Sequence, residues 1–175
     1  MTAQRQERYG LRPRIAAIAL LAGGGLALIC ALGSGVAGMA AHAATSERVV
    51  TNRFTGLAID GFDPVAYFVD GAPVPGLREF EAWQGGVVWR FHNEGNRASF
   101  LAHPDIYGPQ FGGYDPVDAA RGVTVAGNPN FWVVMGERLY LFAAEANRDA
   151  FAADPQGFLA KATTRWPALE QGLAQ

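Results

Sequence analysis

The sequence predicts an α+β fold: two tandem pseudo-symmetric β-hairpin-plus-helix repeats packed as one small domain, preceded by an N-terminal hydrophobic helix. Three observations carry this. The chain resembles itself at an offset of 51 to 52 residues; aromatic and β-branched runs give way to helical spacing after each hairpin pattern; and a basic leader is followed by a long uncharged stretch. The 175 residues are 50% hydrophobic and 17% charged, with 4 Trp, 5 Tyr and 11 Phe. That is enough apolar bulk for one core, which excludes a disordered chain.

At the N-terminus, Arg5, Arg8, Arg12 and Arg14 precede an uncharged run from Ile15 to Ala41. Two readings of residues 1–43 follow. One is a signal peptide cleaved after the small-residue triplet Ala41-His42-Ala43. The other is an uncleaved anchor in the inner membrane, with membrane contact only through residues 15–41. Both place the remainder in the periplasm or another extracytoplasmic space, with the arginines inside. The single cysteine, Cys30, falls in this leader, so a chain without it has no disulfide, thiolate metal site or thiol nucleophile. Without the leader's arginines the rest is more acidic than the full chain's net −2, and it holds one lysine, Lys161. That excludes the basic footprint of a nucleic-acid binder. Residues 44–56 read as a linker and 57–175 as the domain, with repeat one at about 57–108, repeat two at about 109–160 and a tail at 161–175.

The repeat is read residue by residue. Gly61-Phe62-Asp63-Pro64-Val65 returns as Gly113-Tyr114-Asp115-Pro116-Val117. At an offset one residue shorter, Gly76 matches Gly127, and Phe91, Glu94, Asn96, Arg97 and Phe100 match Phe142, Glu145, Asn147, Arg148 and Phe151. Asp63 and Asp115, each followed by Pro, predict helix N-caps. Strands are expected at Phe80–Trp83 and Val87–Phe91, and again at Phe131–Met135 and Arg138–Phe142, around turns at Gly85-Gly86 and Gly136-Glu137. A helix capped by Asn93 follows the first hairpin. Further helices begin at Pro104 and Pro155, the last running to about Thr164, with Trp166-Pro167 closing the chain.

The strings Gly61–Phe68 (GFDPVAYF), Trp89-Arg90-Phe91, Asn96–Pro104, Pro109–Tyr114 (PQFGGY) and Arg138–Phe142 resemble the YHS-domain proteins of the exported, selenoprotein-related type. The resemblance spans about Leu57 to Leu169 and implies a small α+β fold similar to treble-clef modules. It implies little about activity: shorter YHS modules accompany metal handling through cysteines. Members of this type carry Cys or selenocysteine after Gly-Gly-Tyr, where this chain has Asp115, and a carboxylate can neither form a disulfide nor act as a soft ligand.

The remaining candidates carry plain alternatives. Asp63 and Asp115 are helix caps or, brought together by pseudo-symmetry, an acid–base pair. Arg97 and Arg148 form internal ion pairs with carboxylates such as Asp63 or Asp115, or bind an anion. Together with Tyr67 and Tyr114 these residues are the candidates for an inter-repeat ligand cleft. His92 and His103 are candidate ligands for a divalent metal ion, copper or zinc, or else exposed and capping residues. No catalytic constellation and no certain cofactor are present; there is no GxSxG elbow, P-loop or GxGxxG. The leading expectation is an exported, non-enzymatic binding module for a small ligand or a partner protein. Its alternatives are a periplasmic metal-handling protein and an enzyme using the Asp63/Asp115 pair.

Overall fold

The computed structural model describes residues 47–173. The leader, with its cleavage and anchor readings and its hydrophobic helix, lies outside the described residues. The chain is mixed helix and strand, as the period switches predict. After a 3-10 turn at Ile59–Gly61 come α1 (Ala66–Val69), β1 (Leu77–Gln84), β2 (Val87–Phe91), α2 (Glu94–Ala102) and α3 (Pro104–Tyr107). A second 3-10 turn at Gln110–Gly113 leads into α4 (Pro116–Arg121), β3 (Asn128–Met135), β4 (Arg138–Phe142), α5 (Glu145–Ala153) and α6 (Pro155–Gln171).

The strands form two separate antiparallel hairpins, β1–β2 and β3–β4. Their registers correspond. Leu77 pairs with Phe91 and Glu81 with Arg90 across an irregularity in β1; Asn128 pairs with Phe142 and Trp132 with Leu141 across the same irregularity in β3. The 3-10 turns correspond as well, each passing through three left-handed residues: Ile59, Asp60 and Gly61 in the first, Phe111, Gly112 and Gly113 in the second. Next to each hairpin stands a glycine with no room for a side chain. A Cβ on Gly76 would lie 2.5 Å from the Arg90 backbone, and one on Gly127 would lie 2.6 Å from Leu141 Cβ. These glycines let the turn backbone close on the hairpin, Gly76 N–H donating to Gly61 O and Gly127 N–H to Gly113 O, both at 2.9 Å.

Alternation along the strands decides what each hairpin touches. In the first, Phe80, Ala82, Trp89 and Phe91 turn towards Phe100 of α2, leaving Glu81, Trp83, Val88 and Arg90 on the other face. In the second, both faces are covered. Phe131, Val133, Tyr140 and Phe142 pack on Phe151 and Val117, while Trp132, Val134, Leu139 and Leu141 pack into the cluster of Ile59, Val65, Tyr67, Trp89 and Phe100. One core therefore holds residues of both halves.

Two sequence boundaries differ from expectation. Residues 47–56, expected as linker, belong to the fold: Val50 is buried, its N–H donates to Gly112 O at 2.8 Å, and Ile59 N–H donates back to Val50 O at 2.9 Å. The last helix does not stop near Thr164. It runs through Pro167 to Gln171 because Ala162, Trp166 and Leu169 pack on Ala119 and Ala120 of α4, and that burial outweighs the missing N–H of Pro167.

Candidate functional site

Asp63 and Asp115 sit fully buried with corresponding sets of donors. Asp63 Oδ1 accepts from the backbone N–H of Val65 (2.8 Å) and Ala66 (3.4 Å), and its Oδ2 accepts from His92 N–H and Asn96 Nδ2, both at 2.7 Å. Asp115 Oδ1 accepts from Val117 N–H (2.8 Å) and Asp118 N–H (3.4 Å), and its Oδ2 from Ala143 N–H (2.8 Å) and Asn147 Nδ2 (2.6 Å). Each carboxylate thus joins three elements: the start of a short helix, the end of a hairpin and the helix behind it. Four donors saturate both oxygens, so neither acid is placed to exchange a proton with a substrate or to hold a cation. Each carboxylate is turned into its own helix start and buried there, and neither faces an open cleft.

The arginines are elsewhere. Arg97 Nη2 donates to Glu94 Oε1 at 2.8 Å and Arg148 Nη2 to Glu145 Oε1 at 2.8 Å, each one helical turn back, and Arg148 also reaches Asp149 at 3.1 Å. The hydrogen bonds that Arg148 donates to Asp149 and Glu145 raise its pKa above the ordinary arginine value. The expected pairing with Asp63 or Asp115 is thus corrected. The helix residue that reaches each buried carboxylate is the asparagine before the arginine, Asn96 or Asn147. The sequence signal was the repeated Asn-Arg pair, and a short amide fits beside a buried carboxylate where a long guanidinium overreaches.

Tyr67 and Tyr114 are buried rather than lining a cleft. The Tyr67 hydroxyl donates to Pro129 O at 3.0 Å and its ring meets Trp132 edge-on at 5.2 Å, fastening the first half to the second. Burial, with the charges of Asp63 and Asp60 adding to it, raises its pKa well above the ordinary tyrosine value. The Tyr114 hydroxyl donates to Glu47 O at 2.6 Å, and burial together with the Glu47 charge pushes its pKa up to about 12. The ligand cleft expected between repeats is filled at this level by Tyr67, Trp132, Leu139 and Leu141.

His92 and His103 are both exposed. His92 touches the Asp63 site only through its backbone N–H, and His103 precedes Pro104 without capping α3 through its side chain. Among the described residues no three His, Cys, Asp or Glu side chains converge on a point where a metal ion would sit.

What the seam between halves does leave open is a concavity of about 410 Å³, which Asp63, Asp115, Arg97, Arg148, Tyr67, Tyr114, His92 and His103 do not line. Asp105 and Gly108, from α3 and just beyond it, form one wall; Gln110 and Phe111 of the second 3-10 turn and Arg138 of β4 form the other. Arg138 Nη1 donates to the Asp105 carbonyl at 3.0 Å, and a guanidinium has further N–H groups to offer. Phe111 adopts a left-handed backbone (φ 54°), but Ile59 does so too at the corresponding turn (φ 40°), so this strain belongs to the turn and not to the cavity. Arg138 and Gln110 carry no signal in the repeat, because neither has a counterpart of its own type in the first half.

Compared with family models, curated proteins and solved structures, the chain matches none of them.

Proposed function

We propose that this chain is an exported, non-enzymatic binding module of YHS type, formed from two copies of one treble-clef-like hairpin-plus-helix unit, and that it takes a small polar ligand at the seam between them. One observation carries the reading. The repeated polar residues are committed to holding the fold, whereas the polar groups that differ between halves, Arg138, Gln110 and Asp105, meet at an open concavity beside an aromatic ring. A guanidinium, an amide and a carboxylate around Phe111 suit a ligand of less than drug size that carries an anionic group and a donor. The matching element order and strand registers support the duplication.

The test is a thermal-shift screen of small carboxylates, amino acids and phosphates on the full chain, repeated on Arg138→Ala. Compounds that raise the melting temperature of the wild type and lose that effect in the variant support the seam. A screen without any stabilising compound, or stabilisation that persists in Arg138→Ala, refutes it.

A further inference from the structure

The outer face of the β1–β2 hairpin is the counterpart of the β3–β4 face that packs into the shared core. At three of its four positions the apolar residue of the second half is replaced or reduced: Glu81 stands for Trp132, Arg90 for Leu141, and Val88 for Leu139. Glu81 and Arg90 pair at 2.7 Å, which suits a face turned to water. The fourth position runs the other way. Trp83 stands where Val134 packs, and it is 70% exposed. A face adapted only to water gains nothing from an open indole.

Trp83 does not stand alone. It borders a concavity of about 370 Å³ with Arg48, Val49, Gly56 and Val87. Gly56 closes a turn built on Asn52, whose side chain accepts from Phe54 and Thr55 N–H, and Phe54 at the tip of that turn is 82% exposed. Arg53 Cζ lies 4.6 Å from the centre of the Phe54 ring. Two aromatic side chains on adjacent tips, with Arg48 and Arg53 beside them and Glu47 at the rim, have the composition of a surface that meets lipid headgroups, where aromatic rings bury apolar area and arginine pairs with phosphate.

We infer that the Trp83 and Phe54 tips form a bilayer-contact face of the exported domain. The length of chain before the structure argues for lipid over a soluble partner. Only residues 42–46 separate the apolar run ending at Ala41 from Glu47, and five extended residues reach roughly 17 Å. With the run in a bilayer, the Glu47–Arg48 rim of this concavity is held within that distance of the headgroups. The inference rests on the anchored form of the leader.

The experiment uses the full chain in vesicles of phosphatidylethanolamine and phosphatidylglycerol, with a phosphatidylcholine brominated near its headgroup as quencher. The tryptophans are Trp83, Trp89, Trp132 and Trp166, with none in residues 1–46, so quenching reports on the domain. The expected result is a fall in emission with brominated lipid that is largely lost in Trp83→Ser and reduced in Phe54→Ser, while alkaline carbonate leaves all three proteins in the membrane. Carbonate-resistant protein whose Trp83 emission is untouched by bromine and still open to aqueous iodide overturns the inference and leaves the anchor standing. Protein released by carbonate overturns both.

Discussion

Four donors meet each of the buried carboxylates Asp63 and Asp115, two of them coming from a hairpin end and the helix behind it. In Asp115→Ala, the Ala143 N–H loses its charged acceptor and the Asn147 amide keeps only Asp118 Oδ2 at 3.0 Å, so the expected cost is about 1–3 kcal/mol in urea unfolding. Arg148→Ala removes only solvent-screened ion pairs on its own helix and should cost far less, close to Arg78→Ala. Equal losses for Asp115→Ala and Arg148→Ala would show that the carboxylate network is not what holds the second half together. The Asp115 cap of α4 was legible in sequence because capping is local, and Asp63 makes the equivalent bonds to Val65 and Ala66 N–H although Val65 is the cap of α1; the asparagine partners lie about 30 residues away and become visible only when a hairpin brings them back. Tyr114 supplies a pH test. Its pKa is raised in the fold from 10.0 to about 12, so its stabilising effect is complete below about pH 10 and is lost as pH rises through 12. Urea midpoints measured across that interval should fall in the wild type and fall less in Tyr114→Phe; parallel curves would exclude Tyr114 as a source of the alkaline loss.

Between elements, close approach decides more than propensity. Gly127 has an ordinary backbone, yet a methyl group there would meet both Leu141 Cβ at 2.6 Å and Gly113 O at 2.7 Å. Gly127→Ala should therefore lower stability by about 1–3 kcal/mol, the cost of overpacking, and a neutral melt would mean that the turn and β4 yield more easily than their contacts imply. The strands and most helix starts could be read from sequence, since aromatic alternation, Gly-Gly and Gly-Glu turns and residues before proline are local signals. The end of α6 could not. Trp166-Pro167 is a strong local stop, and it is overridden by Trp166 packing on Phe111 and Tyr114 at ring separations of 5.4 and 5.8 Å. If tertiary contact holds this turn against proline, Pro167→Ala should stabilise the protein, by up to about 3 kcal/mol in thermal unfolding. A loss of stability would instead assign Pro167 a packing role.

Across the molecule the two halves are unequal partners. The second hairpin buries both faces, one of them in the first half's core, while α6 covers Ala119 and Ala120 of α4. Sequence self-similarity pointed to paired units but not to this asymmetry, which depends on the few positions where the halves differ: Leu141 against Arg90, Trp132 against Glu81, and a last helix of 17 residues against the four of α3. The expected ligand cleft followed from assuming symmetry, and the same differences fill it. Because Leu139 and Leu141 lie among Ile59, Val65, Tyr67, Trp89 and Phe100, removing bulk from β4 weakens a cluster belonging chiefly to residues 57–108. Leu141→Ala should cost about 2–5 kcal/mol and should lower hydrogen-exchange protection in β1–β2 as much as in β3–β4, with unfolding still a single transition. Loss of protection confined to β3–β4, or a second transition from a surviving first half, would mean that each half carries a core sufficient for itself.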